Sequence, residues 1–174
     1  MLEIGGNAGA FSILIAKRTE IEDIVCTDYD EWSINKLYNL IKTKQDQYKF
    51  LSKITPLVVD VLSIHRANLN QTLFDERLHK ELVVAMAITH HLILTQHVNI
   101  NSLFERFFSL SDKYLIVEFM PLGLWGGDPN EFPEVPKEYN VQWFRDHMTS
   151  FFDILYEKEI EVNRIVFLGE KRGV

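Results

Sequence analysis

The chain opens with Leu2-Glu3-Ile4-Gly5-Gly6-Asn7-Ala8-Gly9-Ala10-Phe11, and this stretch decides the fold that we expect. Residues 1–4 read as a short buried strand, residues 5–9 as a glycine-rich turn, and residues 10–17 as a helix with one apolar face. Glycine lets the backbone approach a ligand closely, and the start of a helix presents unpaired N–H groups. The order strand, turn, helix therefore predicts a ligand-binding cradle.

The spacing of the glycines separates two kinds of cradle. A dinucleotide site requires glycine at the first, third and sixth positions of the turn, because the second glycine makes room for the pyrophosphate. Here those positions hold Gly5, Asn7 and Ala10, which disfavours a nicotinamide-dependent oxidoreductase. The stretch instead follows the pattern acidic-x-Gly-x-x-x-Gly, with Glu3, Gly5 and Gly9.

Strand and helix patterns alternate along the rest of the chain. Further strands are predicted at 21–27, 54–59, 82–88 and 113–119, and helices at 31–44, 101–109 and 141–148. The alternation predicts an α/β fold with a Rossmann-like, doubly wound, mostly parallel sheet between two helix layers. Strands 151–158 and 164–169 form a C-terminal hairpin, which we expect to put one antiparallel strand at the edge. The apolar side of helix 31–44 is predicted to consist of Trp32, Leu37, Leu40 and Ile41.

Composition limits the class of protein. The 174 residues, 47% of them hydrophobic, suit one domain, and a net charge of -7 makes nucleic acid an unfavoured partner. The sequence shows neither an apolar run long enough to span a bilayer nor a signal peptide, so we expect no membrane partner. Its single cysteine, Cys26, favours a reducing, cytoplasmic location. We expect one domain over residues 1–174 that lacks an N-terminal lead-in segment, and the oligomeric state stays open.

Two acidic residues follow predicted strands. Asp28 comes at the end of the second strand and Asp60 after the third. A carboxylate in such a position can accept hydrogen bonds from both hydroxyls of a ribose. Asp30 is better suited to cap the helix that begins near Glu31. An ordinary turn is the alternative for both strand-end aspartates, because aspartate is common in turns.

A pair of histidines follows the fourth strand, in Ala87-Ile88-Thr89-His90-His91. Ligands of open α/β sheets bind at the carboxyl ends of strands, and a neutral imidazole can accept a proton from a hydroxyl or an amine. His91, and after it His90, are candidates for a general base, with packing or helix capping as the alternative. Glu118 lies in the fifth strand and is expected to point at the site or at an arginine such as Arg164, because a buried charge is costly unless paired. We expect no metal, because the histidines lack a metal-ligand spacing.

The opening stretch resembles motif I of the class I S-adenosylmethionine-dependent methyltransferases, acidic-x-Gly-x-Gly-x-Gly, from which Asn7 departs at the middle glycine. Together with Pro-Leu-Val-Val-Asp at 56–60, the histidine pair and Glu-Phe-Met-Pro at 118–121, it is similar to a bacterial nodulation-type subgroup of that family. The resemblance covers nearly the whole chain. It implies that residues 5–9 wrap the methionine portion of the cofactor, that Asp28 binds the ribose and that Asp60 binds the adenine amino group. The implied cofactor-binding set is Glu3, Gly5, Gly6, Asn7, Gly9, Phe11, Asp28, Tyr29, Asp60, Val61 and Ala87.

The resulting expectation is an S-adenosylmethionine-dependent methyltransferase that acts on a small-molecule or glycan-type acceptor. Its catalytic candidates are His91, His90 and Glu118. Two alternatives stay open: a non-catalytic methyltransferase-like module that scaffolds a partner domain and, less favoured, a nicotinamide-dependent oxidoreductase. The sequence leaves open which acceptor is used and whether oxygen, nitrogen or carbon is methylated.

Overall fold

The structure is a computed structural model, and it describes residues 1–60, 76–128 and 130–173. The strands of the described part are β1 Leu2–Ile4, β2 Ile24–Asp28, β3 Ile54–Val58, β4 Lys80–Ala85, β5 Ser111–Phe119, β6 Phe152–Glu161 and β7 Arg164–Lys171. Its longer α-helices are α1 Ala10–Arg18, α2 Glu31–Lys44, α3 Ile100–Leu110 and α4 Val141–Met148. A 3₁₀-helix covers Lys49–Lys53, and a π-helical turn covers His91–Thr95.

The seven strands form one sheet in the order β3-β2-β1-β4-β5-β7-β6. β1 pairs in parallel with both β2 and β4, and β2 pairs in parallel with β3. β7 runs antiparallel to both β5 and β6. The predicted Rossmann-like, mostly parallel sheet with a C-terminal antiparallel hairpin is therefore confirmed. The chain divides into two compact units, the first being Met1–Val84 and the second beginning at Ala85; its organisation as a single domain stays a prediction.

The hairpin puts one strand, antiparallel to its neighbour, at the edge of the sheet, as predicted. β7 lies between β5 and β6, so the edge strand is β6. Alternate residues of β7 are buried, including Ile165 and Phe167, whereas β6 is exposed along most of its length. β7 has an apolar face, and its position between two strands buries that face. Two register shifts, characteristic of β-bulges, interrupt β6, and bulges make an exposed edge less able to pair with another chain.

The buried side of α2 also differs from the prediction. Trp32 is 79% exposed and Leu40 is 39% exposed. Asp30 caps the helix as predicted, accepting hydrogen bonds from the Trp32 N–H at 3.0 Å and from the Ser33 hydroxyl at 2.6 Å. Ser33, which binds this cap, is buried, and Trp32 lies outside the buried stripe. The residues of that stripe are Ser33, Ile34, Leu37 and Ile41.

The second unit is built on an aromatic core. Ring centroids in this core lie 4.6 Å apart for Phe119–Phe144, 5.1 Å for Phe104–Phe144 and 5.4 Å for Phe144–Phe167. All four rings are fully buried, which places Phe144 of α4 at the centre of contacts from α3, β5 and β7. Helix α3 begins directly after its cap Asn99, whose side chain accepts the Asn101 N–H at 2.9 Å. This packing supports the strand β5 that carries Glu118.

Within residues 1–60, 76–128 and 130–173, none of the helices is long and apolar enough to cross a membrane. The same residues include no group of three or more His, Cys, Asp or Glu side chains placed to hold a metal ion.

Candidate functional site

In the first unit, residues 5–9 form a turn between β1 and α1, here called the glycine turn. Gly5, Asn7 and Gly9 have φ angles of +71°, +49° and +77°, in the left-handed region that favours glycine and is tolerated by asparagine. Asn7 therefore retains the backbone conformation at the position where the resembled motif has glycine. Its side-chain oxygen accepts the Ala8 N–H at 2.7 Å, which supports this conformation locally.

Asp28 joins the end of β2 to the glycine turn. One carboxylate oxygen, Oδ2, accepts the Asn7 N–H at 2.8 Å, and Oδ1 accepts the Asp30 N–H at 2.9 Å. A carboxylate offers about four acceptor positions, so two more hydrogen bonds fit on this group. Asp28 is half-buried, and its position agrees with the predicted strand-end site.

Glu3 lies beneath the glycine turn, almost fully buried in β1. Gly9 supplies no side-chain cap for α1. The carboxylate of Glu3 takes this role, because it accepts hydrogen bonds from the hydroxyl and the backbone N–H of Ser12 in the first turn of the helix. Burial raises the pKa of Glu3, and hydrogen bonds from Ser12 and Cys26 offset part of this rise. These contacts favour a structural role, and contact between Glu3 and a cofactor stays a prediction.

Gly6 is required by packing. A Cβ atom at this position would collide with the Cys26 sulfur and would lie 3.0 Å from the Glu3 carboxylate. The close approach of β1, β2 and the turn therefore leaves no room for a side chain.

The remaining predicted cofactor residues of the first unit have different exposures. Phe11 is half-buried in the first turn of α1, and Tyr29 is 70% exposed directly after β2. Asp60 is exposed two residues after β3. The Val59 N–H donates to the Asp28 carbonyl at 2.9 Å, which ties the end of β3 to the end of β2. Val61 lies outside the described residues.

Cys26 provides a direct test of the packing beneath the turn. It is fully buried, and burial raises the pKa of its thiol to about 12. The reactive form of cysteine is the thiolate. We therefore expect native Cys26 not to react with Ellman's reagent at mildly alkaline pH, and to react at once when the protein is unfolded in urea. The reaction is measured by absorbance, and rapid labelling of the native protein would contradict the packing described.

In the second unit, residues 86–91 lead from β4 to the first residue of the π-helical turn, and this segment is here called the histidine turn. β4 ends at Ala85, whereas the sequence predicts a strand to residue 88. Ala87 has a φ of +52°, a left-handed conformation that cannot continue a strand and costs an alanine roughly 1–2 kcal/mol. Its N–H donates to Oε2 of Glu118 at 2.6 Å. Contact of Ala87 with a cofactor stays a prediction.

Glu118 is fully buried and pairs with Arg164, one of the two outcomes expected from its place in the strand. Arg164 donates from Nε to Oε1 at 2.5 Å and from Nη2 to Oε2 at 3.1 Å, and the pairing raises the pKa of Arg164. The main-chain oxygen of Glu118 accepts the Thr89 hydroxyl at 2.6 Å. Both carboxylate oxygens are thus engaged inside the unit, and a catalytic role for Glu118 stays a prediction.

The two histidines have different environments. His90 is 4% exposed, and its Nδ1 has no hydrogen-bond partner among the residues that the structure describes. Desolvation, followed by electrostatic interactions with His91 and Arg164, lowers the pKa of His90 to about 4, so this ring is neutral near pH 7. A ring with such a pKa accepts hydrogen bonds but is a weak base. His91 is exposed, with its ring centroid 4.2 Å from that of His90, and stays the better candidate for a general base.

Two hydroxyl side chains, one near the glycine turn and one in the histidine turn, were not predicted from the sequence. Ser12 binds Glu3 from nine residues away, and Thr89 binds Glu118 from 29 residues away. Each is a small polar residue within a largely apolar run next to a turn, which is a weak signal. Their partners follow only from the pairing of the elements in space.

Comparison with known proteins gives no match to any protein-family model or to any curated protein. Solved structures do share the fold. Magnesium protoporphyrin IX methyltransferase (ChlM) from Synechocystis PCC 6803, with bound S-adenosylmethionine, superposes with a TM-score of 0.60 at 14% identity, over 98% of this chain and 68% of that one. The N-methyltransferase NodS from Bradyrhizobium japonicum WM9 gives 0.59 at 15% identity, over 98% and 84%. The PH0226 protein from Pyrococcus horikoshii OT3 gives 0.70 at 14% identity, over 98% and 81%.

These likenesses show that the chain shares its α/β fold with these proteins, two of which are methyltransferases. ChlM has been crystallised with S-adenosylmethionine and also with S-adenosylhomocysteine. At such low identity, the activity of a neighbour does not transfer to this chain, because one fold serves many reactions.

Proposed function

We propose that this chain binds S-adenosylmethionine and transfers its methyl group to a small-molecule or glycan-type acceptor. The observation that carries the proposal is the joining of the left-handed glycine turn to Asp28, through the 2.8 Å hydrogen bond from the Asn7 N–H. This junction combines a strand–helix turn that is exposed at Asn7 with a carboxylate that retains acceptor capacity. The methyltransferase fold of the solved structures supports the same reading.

The residues present fit this cofactor better than a dinucleotide. In our assignment, the backbone of residues 5–9 holds the methionine portion, and the remaining acceptor positions of Asp28 bind the ribose hydroxyls. The side chain of Asn7 occupies the position where a dinucleotide turn needs glycine. Asp60 and Val61 are assigned to the adenine. Phe11, Tyr29 and Ala87 complete the proposed set.

Proton removal is assigned to the histidine turn. S-Adenosylmethionine supplies a methyl group already activated by the positive charge on its sulfur. The acceptor hydroxyl or amine must lose a proton as it becomes methylated, and a neutral imidazole can take it. We assign this proton to exposed His91 and assign neutral, buried His90 to accept a hydrogen bond.

The subgroup, the cellular location and the partners of the protein are also proposals. We assign the protein to a nodulation-type subgroup and to the cytoplasm, and we assign no role to nucleic acid or to a membrane. The likeness to NodS, at 15% identity, supports the subgroup only through the fold. A non-catalytic module and a nicotinamide-dependent oxidoreductase are the alternatives that binding experiments must separate.

Titration calorimetry with S-adenosylhomocysteine tests the proposed function. We expect the full chain to bind it, and we expect Asp28→Asn to weaken binding about 10–100-fold, because hydrogen bonds to a charged group contribute about 1.5–3 kcal/mol. Asp46→Asn is the matched control, since Asp46 is exposed in the same unit and should leave the affinity unchanged.

Each outcome of this titration bears on a different claim. A folded protein that binds neither S-adenosylmethionine nor S-adenosylhomocysteine would refute the proposed function. Binding of NADH in their place would favour the oxidoreductase. Equal affinities of Asp28→Asn and the wild type would remove Asp28 from the cofactor site.

A further inference from the structure

We propose that Glu118 and Arg164 are positioning residues that hold Ala87 of the histidine turn in its left-handed conformation and thereby fix His90 and His91. The inference rests on the proposed function in so far as these histidines serve the methyl acceptor. It assigns to Glu118 a role different from proton transfer, because Glu118 acts through the turn and not on the substrate.

Glu118 holds the turn at two points. Its Oε2 accepts the Ala87 N–H at 2.6 Å, and its main-chain oxygen accepts the Thr89 hydroxyl at 2.6 Å. Thr89 is fully buried, whereas Ala87 is exposed. One strand residue therefore fixes both an exposed and a buried position of the turn that leads into His90.

Arg164 fixes the orientation of this carboxylate. Its guanidinium spans both oxygens of Glu118, at 2.5 and 3.1 Å, so that Oε2 is shared between Arg164 and Ala87. A two-point arginine–carboxylate pair has a defined geometry, which a lysine does not reproduce. The register of β5 with β7 places Val166 opposite Glu118, two residues from Arg164.

The backbone of Ala87 is the feature that needs holding. A φ of +52° is unfavourable for alanine, and such a conformation persists where surrounding contacts impose it. Glycine would adopt it without strain, but the sequence has alanine here. The hydrogen bond that the Ala87 N–H donates to the charged Glu118 carboxylate opposes relaxation of the turn. If the turn relaxed, His90 and His91, three and four residues further on, would move with it.

The experiment is amide hydrogen exchange of the full chain, measured by NMR, in Glu118→Gln and in the control Glu157→Gln. Glu157 pairs with Arg145 in the same two-point manner, at 2.9 and 2.7 Å, but on the exposed strand β6. Relative to core amides of β5 and β7, we expect the Ala87 amide to exchange at least about tenfold faster in Glu118→Gln and unchanged in Glu157→Gln. The proposal is overturned if the Ala87 amide keeps its protection from exchange in Glu118→Gln. It is also overturned if that amide loses protection only as much as the core amides do.

A second measurement compares the effect of Glu118→Gln on urea unfolding in two backgrounds, and it needs no residue-resolved amide exchange. In an Ala87→Gly background, the loss in urea midpoint caused by Glu118→Gln should be larger than in the wild type, because relaxation of the strained alanine offsets part of the loss in the wild type, whereas glycine has no strain to release. Equal losses in both backgrounds overturn the proposal. Neither measurement uses a cofactor or an acceptor, so failure of this inference is distinguishable from failure of S-adenosylhomocysteine to bind.

Discussion

Replacement of Gly9 by alanine is expected to lower the free energy of unfolding by about 2–5 kcal/mol. Two effects combine in this estimate. A φ of +77° costs an L-residue about 1–2 kcal/mol, and overpacking of a filled site costs about 1–3 kcal/mol. The overpacking arises because the new Cβ would lie 2.6–3.2 Å from side-chain atoms of Leu37, which α2 packs beneath the turn.

Urea unfolding followed by circular dichroism measures this effect. The matched control is Gly126→Ala, because a Cβ at Gly126 meets nothing within 4 Å and its φ is not left-handed. The control should change the free energy of unfolding by less than about 0.5 kcal/mol. A Gly9→Ala variant as stable as this control would contradict the described contact between the glycine turn and α2.

Replacement of Arg164 by alanine is expected to cost about 3–5 kcal/mol, because it leaves the buried carboxylate of Glu118 without its charged partner. Arg145→Ala is the matched control, since Arg145 also pairs with a glutamate at two points. The Glu157 side chain in that pair is 29% exposed, against 0% for Glu118, so water can solvate the remaining charge. The control should therefore cost about 0–1 kcal/mol.

A double variant separates the lost charge partner from lost packing. Glu118→Gln combined with Arg164→Leu removes both charges, retains an oxygen for the Ala87 N–H and replaces most of the arginine volume. We expect this double variant to be more stable than Arg164→Ala, because no unpaired charge remains buried. Similar costs for Arg164→Ala and Arg145→Ala would show that the Glu118 carboxylate is not held in a water-excluded position.

Much of the fold could be predicted from local patterns. The glycine turn between β1 and α1, the bounds of α2 and α4, and the cap Asp30 agree with the prediction, because each depends on residues close together in the chain. The predicted end of β4, at residue 88, was wrong by three residues, because the strand ends at Ala85. The apolar run continues to Ile88, and nothing in the run itself signals the left-handed Ala87.

The site was predicted less completely than the fold. The position of Asp28 at the end of β2 was predicted, because a carboxylate at a strand end is visible in the sequence, and its contact with a cofactor stays a prediction. The difference between His90 and His91 was not visible, since the neutrality of His90 follows from its burial and from the charge of Arg164, 74 residues away in the chain. The partner of Glu118 was predicted as one of two possibilities, and the tertiary structure decided between them.

The sequence by itself determined the strand–turn–helix opening, the alternation of elements and the acids that follow β2 and β3. These features follow from hydrophobic periodicity and from the backbone preferences of glycine and aspartate, which act over a few residues. Only the tertiary structure decided that Glu3 caps α1, that β7 lies between β5 and β6, and that Glu118 accepts a hydrogen bond from Ala87. Those outcomes depend on which distant segments become neighbours and exclude water, because burial makes an unpaired charge or polar group costly and so selects its partner.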